Sequence, residues 1–161
     1  MHRMFLLNKL EVRNTQKGKG LFSTEVILKD QTILEFEKNY IGHHNNKTLQ
    51  IDENKHQISK NPDAIENFIN HSCQPNAYIN FKDLTFRAKH KIGKGEELTY
   101  NYFTTDWDNE DVFQCKCGRK NCKKLIKGFR NLVLQDKKKL RPLLSPYLLR
   151  KLGDLERQPA Y

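Results

Sequence analysis

Aliphatic and aromatic residues alternate with polar ones in short runs over most of the chain as far as Tyr102, the mark of half-buried strands. LEV from Leu10, LFS from Leu21 and TILEF from Thr32 predict strands, parted by a glycine turn at Gly18, Lys19 and Gly20 and by Lys29 with Asp30. A hairpin is expected over 78–81 and 84–88 around Lys82 and Asp83, then a turn at Gly93, Lys94 and Gly95 and a strand over 97–102. Residues 42–61 are polar, rich in Asn, Lys and His, and read as an insert with at most one strand near 49–51. Asn61 as cap and Pro62 at the first helical position predict a short helix through AIENF. Beyond Gly128 the period changes. Leucines fall at helical spacing over 130–139 and 146–152, with Ser145 and Pro146 starting the second helix and Gly153 stopping it. The pattern predicts a mostly β fold with short helices and a helical C-terminal extension.

A length of 161 residues fits one domain with a sizeable core. Nine Phe, six Tyr and one Trp argue against disorder, while a mean hydropathy of −0.82 gives a polar surface. No apolar stretch approaches the ~20 residues a membrane span needs, and the apolar run within 1–10 is too short for a secretory signal. The expectation is an intracellular protein, cytoplasmic or nuclear, with no membrane partner. Charge divides the chain sharply: residues 114–151 carry thirteen Lys or Arg and the single acid Asp136, a local +12 against −2 elsewhere. Contact with nucleic acid or a nucleosome is therefore expected through the basic C-terminal third, with a solvated lysine-rich helix face as the other reading.

Cys115, Cys117 and Cys122 fall within eight residues, close enough to converge on one ion, and structural zinc takes four ligands. Cys73 is the remaining thiol. From spacing alone the set reads either as a zinc site or as reduced cysteines that merely pack. Cys73 lies in NHSCQPN at 70–76; GEELTYNY follows at 95–102, the CxCx4C at 115–122 closes the series, and KGKGLF at 17–22 precedes it. In that order these strings resemble the motifs of SET-domain protein-lysine methyltransferases with a post-SET zinc segment, over about residues 8–128.

The resemblance implies a SET catalytic domain at 1–113 in which the NHSC segment and the strand ending at Tyr102 form a pseudoknot. It implies a post-SET zinc segment at 114–128 and leaves 129–161 as a basic helical extension. Zn2+ would be shared by Cys73, Cys115, Cys117 and Cys122, folding the segment so that Leu125 or Ile126 helps close the lysine channel and cover the cofactor. S-adenosylmethionine would be the cofactor, held by Lys17, Gly18, Lys19, Gly20, Asn70, His71, Tyr102 and Leu125. Tyr102 matches the catalytic tyrosine, and Tyr100 the position that tunes the number of methyls added. The acceptor would be the ε-amine of a lysine in a basic protein or peptide such as a histone. The acidic run of Asp106, Asp108, Glu110 and Asp111 around Trp107 reads either as an attractant for such a peptide or as a solvated loop.

The chemistry suits those residues. A lysine amine, which in water gives up its proton only near pH ~10.4, must be presented neutral, and a tyrosine gives a channel both an apolar wall and one oriented hydroxyl. Asn67 stands where the family often has Arg, and Asn101 where it often has Asp, which bears on the level of activity. Two other classes remain open at this point: a catalytically inactive SET-like module that binds nucleic acid or a nucleosome, and a zinc-ribbon nucleic-acid binder.

Overall fold

The structure, a computed structural model, describes residues 6–109 and 111–157. The chain opens with an antiparallel hairpin, β1 (Leu10–Thr15) and β2 (Gly18–Ser23), turning at Gln16 and Lys17 rather than at the glycines. Gly18 supplies the positive φ of 99° that starts β2, and Gly20 admits a close approach, since a Cβ there would lie 2.7 Å from Oε1 of Glu97. The glycines thus serve strand contacts.

β3 (Thr32–Glu35) follows, then β4 (Tyr40–Ile41), β5 (Leu49–Asp52) and β6 (Lys55–Gln57), which form a small sheet in the order β4-β6-β5. The insert therefore contains a hairpin, more order than its polar composition predicts. Its buried side chains are few, Leu49, Gln50, His56 and Gln57 among them, so alternation had little to register. Asn61 accepts from the Asp63 N–H at 3.0 Å and makes a turn instead of capping a helix; only a 3-10 turn, Ile65–Phe68, forms after it.

β7 (Asn70–His71), β8 (Ala77–Asn80), β9 (Thr85–Ala88) and β10 (Thr99–Tyr100) complete the strands that precede the cysteine loop. β3, β9 and β8 form an antiparallel sheet as the hairpin pattern predicts, and β10 pairs with β7 in parallel. The expected strand to residue 102 is shorter: Asn101 accepts from the Phe103 N–H at 3.1 Å and starts a 3-10 turn, Tyr102–Thr104. Leu21, Ile27, Ile33, Phe86, Ile92, Leu98 and Tyr100 bury together as the main core.

β11 (Phe113–Gln114) and β12 (Leu125–Ile126) pair across the cysteine loop. Two helices close the chain, α1 (Leu134–Leu140) and α2 (Pro146–Arg157). Ser145 caps α2, accepting from Leu148 N–H at 3.2 Å, but Gly153 does not stop it. A stop at glycine needs left-handed backbone, whereas Tyr147, Leu148 and Leu152 bury with Phe129 and Leu144 in a second core that carries the helix onward. The expected helix over 130–139 is likewise reduced to α1, after a 3-10 turn at Phe129–Asn131. Of the described residues, no helix is long and apolar enough to cross a membrane.

Candidate active site and metal centre

Parallel pairing sets Asn70 beside Thr99 and His71 beside Tyr100, joining segments almost thirty residues apart. Asn76 reinforces the crossing: its side chain donates to Glu97 O at 2.8 Å and accepts from Thr99 N–H at 3.0 Å. At the end of β10 the turn swings Tyr102 beside Tyr100, with ring centroids 4.8 Å apart. Tyr102 is fixed at both ends. Its backbone N–H donates to His71 Nδ1 at 3.1 Å and its hydroxyl donates to Ile69 O at 2.8 Å. Asn101, the departure from the family's acid, supplies the acceptor that caps this turn, a task an amide oxygen performs. Asn67 donates to Pro62 O at 3.0 Å.

Burial, then the nearby Asp106, raises the pKa of both Tyr100 and Tyr102, so each remains a neutral hydroxyl and a donor. Burial, followed by the charge of Lys17, drives His71 down to about 3. The imidazole is therefore neutral, accepting at Nδ1, with Nε2 3.3 Å from Cys73 Sγ.

Tyr102 and Phe113 are shared walls of two cavities. One, a cleft of about 480 Å³, is lined also by Gln16, Lys17, Asn70, His71 and the stretch 114–116. The other, about 350 Å³, runs between the insert and the tyrosines, with Phe36, Leu49, Ile69, Tyr100 and Asp106 in its wall. Of the residues expected at the cofactor, Lys17, Asn70, His71 and Tyr102 line the cleft. Gly18, Lys19, Gly20 and Leu125 do not. The glycine strand instead touches Asn70, whose Nδ2 donates to Lys19 O at 3.0 Å and to Glu97 Oε1 at 2.7 Å, and Leu125 points outward while Ile126 is buried. Glu97 also pairs with Lys17 at 3.0 Å, which makes it an organiser of the cleft that sequence reasoning passed over although it lies within GEELTYNY. Phe113 was missed too, for want of any motif around it.

The cysteine loop brings Cys73, Cys115, Cys117 and Cys122 together with every sulfur within 4.8 Å of the others. Tetrahedral zinc at ~2.3 Å per sulfur requires neighbouring sulfurs about 3.8 Å apart, and Cys73 and Cys115 stand at 3.9 Å. Lys123 N–H at 3.3 Å from Cys73 Sγ and Lys124 N–H at 3.4 Å from Cys122 Sγ point donors at sulfurs, as thiolates need. Without an ion the thiols differ: burial holds Cys73 up at about 11 and Cys115 above its ordinary value, whereas at Cys117 burial is overcome by backbone donors at Cys73 and Arg119, which bring this thiol down to about 6. The donor set fits one zinc ion. Within the acidic run, Asp106 is buried, Asp108 pairs with Arg130 at 3.2 Å, Asp111 is exposed at the cavity rim, and Glu110 lies outside the described residues.

The geometry agrees with what the chain resembles among known proteins. The histone-lysine N-methyltransferase, H3 lysine-4 specific, of Aspergillus fumigatus is 33% identical over 134 residues, 70% of this chain and 10% of that protein. A relative from Mycosarcoma maydis, named H3 lysine-36 specific, is 29% identical over 146 residues, 75% of this chain and 14% of its own. The chain thus spans 10–14% of these relatives' length. Among solved structures, KRYPTONITE in complex with mCHH DNA, H3(1-15) peptide and SAH superposes with a TM-score of 0.58 at 26% identity, over 72% of this chain and 29% of that one. The methyltransferase domain of human SETMAR, at 21% identity and a TM-score of 0.59 over 74% of this chain and 58% of its own, shows the same fold. The family profile described as SET domain matches residues 18–103, more than half of the sequence, and the chain belongs to the SET-domain family.

Proposed function

We propose that the chain transfers a methyl group from S-adenosylmethionine to the ε-amine of a protein lysine. The observation that carries this reading is the position of Tyr102, whose ring is a wall of both cavities, so that a donor in one and an acceptor in the other meet beside it. When bound, S-adenosylmethionine supplies the methyl as an electrophilic sulfonium substituent. Lys17, Asn70 and His71 would hold it in the cleft, and the cleft's volume lies in the usual range for small-molecule sites. The KRYPTONITE complex, which holds SAH and an H3 peptide, supports the choice of donor and acceptor class here.

In the second cavity, within a lining otherwise largely polar, Phe36, Leu49 and Ile69 offer apolar wall to an aliphatic chain and the amine at its end. Tyr102 and Tyr100 orient it, and alignment of the two reactants is the main catalytic contribution of such a site. Cys73, Cys115, Cys117 and Cys122 would hold Zn2+ as a structural ion, fixing the segment 114–128 against the catalytic domain of 1–113. A histone is the acceptor favoured by the relatives' names, and it would bring the enzyme to a nucleus; an acceptor of another kind keeps it in the cytoplasm.

A second contact is supported by the distribution of unpaired charge. The cations of 129–157 are largely engaged: Lys139 with Asp136, Lys138 and Arg141 with Glu156, Arg150 with Asp52, Lys151 with Glu53. Lys116, Arg119, Lys120, Lys124 and Lys127 make no ion pair among the described residues. A nucleic-acid or nucleosome contact would therefore run through the cysteine loop beside the cleft, rather than through the helices. The reading is tested by incubating the chain with labelled S-adenosylmethionine and histones or a cell extract and locating labelled lysines by mass spectrometry. Absence of label from every lysine overturns it.

A further inference from the structure

Two stretches of chain face the tyrosines across the cavity between them: the insert, with Leu49 in the wall, and the run after the Tyr102 turn, with Asp106 and Asn109 in the wall. They are joined one residue behind that wall. Trp107 N–H donates to Gln50 Oε1 at 2.9 Å, so the residue after Asp106 is bonded to the residue after Leu49. Gln50 is buried, which leaves water poorly placed to replace its oxygen as the acceptor. From residue 127 on, outside the 18–103 match to the family profile, the chain grips the same run from another side. Backbone N–H groups of Ser145, Phe129 and Arg130 donate to the carbonyls of Thr104, Asp106 and Trp107 at 2.9, 2.8 and 2.9 Å, and Asn109 N–H donates to Lys127 O at 3.0 Å. Trp107 packs on the second core, its ring centroid 6.3 Å from that of Phe129, and Lys151 Nζ on α2 stands 5.3 Å from the Trp107 ring centre. Arg150 and Lys151 also pair with Asp52 and Glu53, just beyond Gln50. The wall needs such holding, because Asp106 is buried with Oδ1 lacking a hydrogen-bond partner, and its uncompensated desolvation favours opening.

We propose that Gln50 and the C-terminal segment form a clamp on residues 104–109 that sets the spacing of the cavity's walls and so how tightly an acceptor is held, an inference that rests on the methyl-transfer reading. Gln50, Trp107 and Leu148 are positioning residues, for none of them lies in the wall itself. A small displacement suffices: a radial gap of about 0.5–1 Å forfeits a quarter to a half of each van der Waals contact with a bound chain. Hydrogen bonds and packing carry the clamp, while the ion pairs to Asp52 and Glu53 are largely exposed and contribute little. None of residues 104–109 lines the cofactor cleft. Loosening the clamp therefore weakens acceptor binding and leaves cofactor binding alone.

Trp107 is the only tryptophan in the chain, so its fluorescence reports on the clamp without any substrate. The full, zinc-loaded parent is compared with Gln50→Met, which keeps the length of the side chain and removes the acceptor, with Gln50→Glu, which restores one, and with Leu148→Ala, which leaves a void in the second core; Leu148→Val takes its place if that variant does not fold. Quenching of Trp107 by acrylamide should rise by about 1.5-fold or more in Gln50→Met and in the Leu148 variant, and stay near the parent in Gln50→Glu. With core histones as the acceptor probe, KM for the histone should rise about 5- to 10-fold in the same two variants, with kcat and the affinity for S-adenosylhomocysteine within about twofold of the parent. Quenching alike in all the proteins overturns the inference, as does cofactor affinity falling in step with histone KM, the mark of general damage. If the parent labels no histone, the methyl-transfer reading loses its acceptor and the clamp is decided by Trp107 quenching alone; if the parent labels histone and KM is indifferent to Gln50→Met, this inference alone falls.

Discussion

The backbone N–H of Tyr102 reaches Nδ1 of His71 at 3.1 Å across a separation of 31 residues. The opposite nitrogen of the same ring lies 3.3 Å from Cys73 Sγ. One neutral imidazole therefore ties the turn that carries the tyrosine hydroxyl to a sulfur of the four-cysteine cluster, and the order of the cysteine loop bears directly on the cleft that Tyr102 and His71 line.

Removal of the metal should accordingly be felt in the cofactor cleft. One zinc per chain is expected by elemental analysis of tag-free protein, given the convergence of Cys73, Cys115, Cys117 and Cys122. A strong chelator should lower the melting temperature and weaken binding of S-adenosylhomocysteine, measured calorimetrically, by on the order of tenfold or more. Less than half an equivalent of metal, or unchanged affinity after its removal, contradicts the structural role.

Gly128 joins the loop to the rest of the chain through space that no other residue can share. Its φ is +102°, and a Cβ there would stand 2.6 Å from Asp108 Cα and 2.8 Å from Asn109 N, both backbone. Neither atom can rotate away. Gly128→Ala should destabilise the fold by about 2–4 kcal/mol in denaturant titration, combining left-handed strain with overpacking. A change below about 0.5 kcal/mol, the usual surface effect, rules out the close packing of these segments.

Asp106 makes stability depend on pH in a definite sense. The folded chain holds this proton up to about pH 7, whereas a solvated aspartate releases it near 3.8. As pH rises between those values the unfolded chain ionises first, so the stability contributed by the protonated form is lost, and the loss is complete above the folded value. Asp106→Asn abolishes that dependence. Its stability relative to the parent should be larger at pH 8 than at pH 5, by an increment of about 3 kcal/mol. Equal differences at the two pH values dispose of the buried, uncompensated carboxyl.

Much of this site is written in contiguous residues. Asn70, His71, Cys73, Tyr100, Tyr102 and the three cysteines of the loop are legible because each sits within a short string whose order is informative. The cavity between the insert and the tyrosines is not, since Phe36, Leu49, Ile69 and Asp106 come from four separate stretches of the chain and only folding brings them together. The same cause explains Asp106. A loop acid surrounded by Asp108, Glu110 and Asp111 reads as solvated, and nothing local announces that Gln50 and Phe129 will enclose it. Alternation alone overextended β10 through residue 102, because Asn101 captures the Phe103 N–H and turns the chain.

The unpaired cations give the docking proposal a differential test. Arg119→Glu with Lys120→Glu should weaken binding to duplex DNA by on the order of tenfold or more at low salt and make the salt dependence shallower by about two units of slope. Lys138→Gln, at a residue already paired with Glu156 at 3.8 Å, should change neither by more than about twofold. Equal effects from the loop and the helix return the basic third to an ordinary solvated face.

Tyr102→Phe is the most direct probe of the mechanism. The substitution keeps a ring that packs against Tyr100 at 4.8 Å and His71 at 5.2 Å, so the walls of both cavities should survive. It removes one hydroxyl, whose visible partner is Ile69 O at 2.8 Å, and the loss of that hydrogen bond should lower stability by about 1 kcal/mol. Methyl transfer should fall on the order of a hundredfold or more, because Tyr102 borders both cavities, where the proposed donor and acceptor would be aligned. Cofactor affinity, read by calorimetry, should change by less than about threefold, since Lys17, Asn70 and His71 remain in place. Tyr100→Phe supplies the contrast: it deletes a fully enclosed hydroxyl beside Asp106 and Thr105, widens the space around the amine, and should raise the number of methyls added without stopping the reaction. Both variants are assayed on one lysine peptide with mass spectrometry of the product. Turnover of Tyr102→Phe at the parent's rate would make Tyr102 a packing residue, and the shared wall of the two cavities would then have no catalytic meaning.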